Sequence, residues 1–164
     1  MNAVDILRAV SSAIDPRDIY RPYVESLARE CLGLDGDDDL TIEHNGDIPI
    51  RIGSALYRIT LLDHDPVLVR VWARVLVGVE LSLELLEEIN DINRGIISAR
   101  VFYVPDDDTP HGKVVAATEI PAASMDRDDL AHACEAIASL SDWVDTTMMV
   151  RFGGATAFAD DDDT

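Results

Sequence analysis

Lysine occurs once in this chain, at Lys113, and 13 basic residues stand against 32 acidic ones, giving a formal net charge of -19. So little positive charge excludes nucleic acid and anionic lipid as expected partners, because basic side chains drive binding to either by displacing counterions. Aromatic residues make up only 5% of the 164 residues, so a core must be assembled from Ala, Val, Leu and Ile. Cysteine is limited to Cys31 and Cys134, each inside a helical pattern with apolar neighbours. Two are too few for a disulfide scaffold, and Cys134 has only His132 and Glu135 close in sequence where a reactive thiolate needs a cationic partner, so both are expected to be free buried thiols. Long apolar runs are also missing: the longest, from Val67 to Val79, contains Arg70 and Arg74 and falls short of the roughly 20 residues that span a bilayer. The opening MNAVDILRAVSSAID has no basic run ahead of an apolar stretch, so a secretory signal is not expected, and a soluble cytoplasmic protein is.

What is present is enough apolar content, 48%, for one core in one folding unit. Residues 1 to 15 carry Val4, Ile6, Leu7, Val10 and Ile14 at helical spacing. Asp15-Pro16 starts a second helix that Pro22 kinks or restarts, with Val24, Leu27, Ala28 and Cys31 on one stripe and Gly33 at the stop. After DGDDD at 35 to 39, Leu40 to His44 alternates like a strand, and Asn45-Gly46 is a strong hairpin signal. Ile48 to Leu62 is the expected returning strand, and VLVRVWARVLVGV from Val67 is a third. Ser82 opens a helix with Leu85, Leu86, Ile89 and Ile92 inward and Gly95 at its end. Ser98 to Val104 and Lys113 to Ile120 form a second hairpin, and Asp126 caps a long helix carrying Leu130, Cys134, Ile137, Leu140, Val144 and Met148. The resulting fold class is α+β, an antiparallel five-stranded sheet with helices on one face, in the order α-β-β-β-α-β-β-α. Residues 1 to 154 form the single domain, and 155 to 164 an acidic tail expected to be disordered.

The chemistry-bearing motifs fail one by one. Asp35, Asp37 and Asp39 alternate as in a calcium loop, but the glycine required at the sixth position is Leu40. His44, His64, His111 and His132 are scattered, without metal-ligand spacing, and no phosphate loop, dinucleotide fingerprint or nucleophile elbow occurs. No catalytic residue, metal or cofactor is therefore expected.

One segment asks for another explanation. In a strand through Arg70, the residues Val69, Val71, Ala73 and Val75 face one side, while Leu68, Arg70, Trp72, Arg74 and Leu76 face the other. Arg58 on the neighbouring strand joins that second face, and Arg100 with Phe102 joins it if the fourth strand turns Val101 inward. The plainer alternative is that arginine stems cover sheet surface and pair with some of the many carboxylates. As a group, guanidinium forks flanking an indole suit an acidic or extended peptide, or a second subunit. Arg58, Arg70, Trp72, Arg74, Arg100 and Phe102 are the candidate partner-binding residues.

The stretches LLEEINDINRGIISARVFY, GKVVAATEIP and DRDDLAHACEAIASLSDWVDTTMMVRFGG resemble the YbjN family, whose fold is similar to that of type III secretion chaperones of the Tir-chaperone type. The resemblance covers about residues 16 to 154, and Leu86, Ile89, Asn90 and Asn93 match the family's leucine and asparagine pattern at a helix end. It implies a small acidic homodimer that holds a peptide or protein segment and hydrolyses nothing. The alternative is a regulatory or structural homodimer with no client peptide.

Overall fold

Asp15 begins the first helix. Its carboxylate accepts the Arg17 backbone N–H at 2.9 Å, and Pro16 occupies the first turn, where a missing N–H costs nothing. The computed structural model describes residues 15–34, 39–52, 55–107 and 109–156, the side chains at 52, 55, 145 and 146 excepted. Helix α1 runs through Pro16–Leu32 as one element with Pro22 inside it, so the expected restart does not occur. Val24, Leu27 and Ala28 are buried and Cys31 half-buried, as the stripe predicts. Gly33, at φ 63, closes the helix in the left-handed region that a side chain would strain. Apart from Asp15, the helix expected over residues 1 to 15 lies outside the described residues.

The strands are β1 (Ile48–Ile52), β2 (Ala55–Leu62), β3 (Leu68–Glu80), β4 (Arg100–Pro105), β5 (His111–Pro121) and β6 (Ala155–Thr156). They form one antiparallel sheet in the order β1-β2-β3-β5-β4, with the short β6 also pairing β3. The α+β class and helix order are as expected, but the first strands are divided differently. Ile52 pairs with Ala55, so the single strand expected over Ile48 to Leu62 is two. Leu40 to His44 is not a strand, although Asn45-Gly46 does turn: Gly46, at φ 87, donates its N–H to the Glu43 carbonyl at 2.8 Å. β1 pairs β2 on one side, and residues 40 to 44 do not take up the other edge of β1.

Helix α2 spans Leu83–Gly95 and α3 spans Arg127–Phe152. α3 packs on β3 and β5, α1 on α3 and on β1 and β2, and α2 on β4. Val69, Val71, Ala73 and Val75 of β3 are fully buried, as are Leu130, Ile137, Val144 and Met148 of α3, so the small strand face does lie under the helices. Two expectations fail locally. Leu76, placed with the arginines, is buried beside Val75, because the register shifts between Arg74 and Leu76 and a bulge reverses which residue faces inward. Leu86, placed inward, is 44% exposed; the inward stripe of α2 is Leu85, Ile89 and Ile92. Ser82 and Asp126 cap α2 and α3 as read, the latter in a reciprocal capping box with Asp129.

The outer edge of β4 is covered by a side chain. The Asn93 amide donates to the Val101 carbonyl and accepts the Val101 N–H, both at 2.8 Å, so it stands in for a neighbouring strand. Asn93→Ala should remove about 1–3 kcal/mol by leaving both backbone groups unmatched. Urea titration measures the loss, and hydrogen exchange at Val101 should accelerate with it. Ala155 and Thr156, placed in the tail by the sequence, form β6, and the rest of that segment, 157–164, lies outside the described residues.

Candidate functional site on the open sheet face

Strand register places all six candidate residues on the face of the sheet opposite α1 and α3. Arg58 pairs with Trp72, Trp72 with Ala117, and Ala117 with Arg100, which makes one row across four strands. Arg74, Val115 and Phe102 make the next row, and Thr60, Arg70 and Glu119 the row on the other side. Val101 is 1% exposed in the core, which turns Arg100 and Phe102 outward. Val115 and Ala117 are buried outside the main core cluster, lying in register between the arginine and aromatic side chains of this face.

Trp72 is held by a relay. Its indole N–H donates to Thr60 Oγ1 at 2.8 Å, the Thr60 hydroxyl donates to Asp47 Oδ1 at 2.7 Å, and the Asn45 amide donates to Asp47 Oδ2 at 3.0 Å. Asp47 is only 6% exposed, so its charge is buried with its hydrogen bonds made. The Arg58 guanidinium lies 5.5 Å from the Trp72 ring centre and donates to Glu43 at 3.1 Å. Arg70 and Arg100 share one carboxylate oxygen of Glu119, at 2.8 and 2.5 Å, and Arg100 also sits 5.7 Å from the Phe102 ring centre. The plainer alternative thus holds in part, since these arginines do meet carboxylates. Sequence reading missed Glu43, Asp47, Thr60 and Glu119, whose roles depend on cross-strand register, and Arg51, which alternates outward from the buried Ile50. Among the described residues, five guanidinium groups (Arg51, Arg58, Arg70, Arg74, Arg100) share this face with the carboxylates of Glu43, Asp47 and Glu119, a concentration of positive charge on a strongly acidic chain.

The helical side has a different surface. A groove of about 580 Å³ runs between α2 and α3, floored by Ile92, Ile96, Ala136, Leu140 and Trp143 and rimmed by Glu88 and Asp91. Arg151 of α3 ties the two helices through Glu84, at 2.9 Å, and Glu88. No group of three or more His, Cys, Asp or Glu converges among the described residues. No described helix is long and apolar enough to cross a membrane.

Both thiols are poor nucleophiles. Burial pushes Cys134 up to about 12 and raises Cys31 as well. At pH 8 iodoacetamide should therefore label the folded chain slowly and label both cysteines at once in urea, as mass spectrometry would show. Because the Cys134 thiol is harder to ionise folded than unfolded, its contribution to stability is complete below pH 9 and is lost as pH rises towards 12.

With this architecture in place, sequence and structure comparisons agree on a class. Residues 19–160 match the family model TY-Chap1, described as T3SS (YopN, CesT) and YbjN peptide-binding chaperone 1. The chain belongs to this peptide-binding chaperone family. The resemblance drawn from the sequence is thereby borne out. Among solved structures, the chaperone–effector complex of HopA1 and SchA matches with a TM-score of 0.59 and 9% identity, covering 82% of this chain and 99% of that one. The ExsC-ExsE complex matches with a TM-score of 0.57 and 16% identity, over 77% of this chain and 94% of that one. YbjN from E. coli, described as a putative transcription regulator, matches with a TM-score of 0.53 and 15% identity, over 77% and 93%. No curated protein sequence matches the chain.

Proposed function

We propose that this protein is a non-enzymatic holder of an extended protein segment, which it takes on the open sheet face, and that it acts as a dimer. The observation that carries the reading is the assembly of Arg58, Arg70, Trp72, Arg74, Arg100 and Phe102 on one sheet face. Family membership supports it, as do solved relatives described as a chaperone with its effector. The chemistry fits a peptide: aromatic faces give sequence-tolerant contact area, and guanidinium forks fix the position of carboxylates. Self-association is assigned to the helical side, where the α2–α3 groove, lined by Ile96 and Ser98, adjoins exposed Ile97 between them.

Light scattering should return twice the 18.0 kDa chain mass. Pull-down from a native lysate, followed by identification of the captured chain, should recover a client with the wild type and lose it when Arg70→Glu, Trp72→Ala and Arg74→Glu are combined. A dimer whose captured set is indifferent to those changes would favour a regulatory or structural homodimer instead.

A further inference from the structure

The peptide-binding reading leaves open what covers the arginine face when no client is bound. The geometry points to the chain's own residues 157–164, AFADDDDT, as the resident ligand of that face. This inference rests on the function proposed above and names an occupant for the same site.

Three observations carry it. The first is direction. β6 runs antiparallel to β3 with Ala155 opposite Val77 and Thr156 opposite Leu76, so the chain leaves Thr156 heading towards Arg74, Trp72 and Arg70. β2 already occupies that edge of β3 at Arg58 opposite Trp72, so the segment must leave the plane of the sheet. α3 covers one side and the open face is the other. The second is length. Eight extended residues reach at most about 26–29 Å, and the six residue steps of β3 from Leu76 back to Arg70 span about 20 Å. The third is charge. Asp160 to Asp163 are four consecutive carboxylates on a chain of net charge -19, which repels them almost everywhere, whereas this face gathers five of the chain's 13 basic residues and, among the described residues, the carboxylates of Glu43, Asp47 and Glu119. Phe158, two residues before the acidic run, gives the segment an aromatic side chain, and the face carries Trp72 and Phe102.

A resident segment on a short tether competes with any free ligand at an effective concentration on the order of 1 mM, so a segment whose own Kd for the face is about 100 µM would hold back a free ligand about tenfold. The test uses the synthetic peptide AFADDDDT and two chains, the full sequence and one ending at Thr156, both with Trp143→Phe so that Trp72 is the sole tryptophan. Circular dichroism establishes that both fold. The truncated chain should bind the peptide with a change in Trp72 emission, binding should weaken as salt is raised, and the full chain should bind it about tenfold more weakly. Changing Asp160 to Asp163 to Asn in the full chain should restore access. Equal binding by the two chains overturns the inference, as does no binding by the truncated chain or a change of oligomeric mass on truncation, which would assign the face to a second copy. If in any of these cases the face variants still lose the captured client, the peptide-holding function stands and only the resident ligand falls.

Discussion

A chain carrying Arg70→Glu, Arg74→Glu and Arg100→Glu together should bind an acidic peptide about 10- to 100-fold more weakly than the wild type, as fluorescence anisotropy would show. Among the described residues the face now sets five guanidinium groups against three carboxylates, and the triple change leaves two, on Arg51 and Arg58, against six. Partly exposed ion pairs contribute about 0.5–1 kcal/mol each, so removing three of them at once weakens binding by about 1.5–3 kcal/mol. The fold should survive, because the three side chains lie outside the helix-covered core. If affinity stays the same while circular dichroism is unchanged, the arginines are surface cover and nothing more. Trp72→Phe, which keeps the ring and loses the bond to Thr60, separates stacking from positioning: it should cost far less than Trp72→Ala.

Ile137→Ala has the largest expected effect on stability, a loss of about 2–5 kcal/mol in urea unfolding. Ile137 is fully buried on α3, which packs over the Val69, Val71, Ala73 and Val75 face of β3. Those strand residues are small, so the helix must supply bulk, and a chain with so few aromatics has no large neighbour to collapse into the gap. Val150→Ala on the same helix is the control: Val150 is 82% exposed, and its truncation should change stability by less than about 0.5 kcal/mol.

Both variants depend on features of unequal visibility in the sequence. α3 was readable almost residue for residue, since the spacing from Leu130 to Met148 is long, regular and bounded by Asp126 and Gly153. The outward Arg-Trp-Arg series was readable because alternation needs no partner to be recognised. Leu76 was not, because a bulge is a mismatch between two strands and one strand cannot reveal it. The segment from Leu40 to His44 misled for a similar reason: alternation shows what a segment tolerates, and not whether it pairs, and here it leaves the neighbouring edge of β1 untaken. Among site residues, the arginines announced themselves by type, whereas Thr60, Asp47 and Glu119 are common polar residues whose meaning lies in what they stand opposite.

The carboxylate shared by Arg70 and Arg100 has one further consequence. On the proposed function, an arriving acidic side chain would not meet bare cations; it would displace Glu119 from one of them, so part of the new ion pair is offset by the one given up. Such an exchange has a shallow thermodynamic gradient in either direction. A cargo held this way is handed on easily, and grip strong enough to resist release must come from the rest of its length.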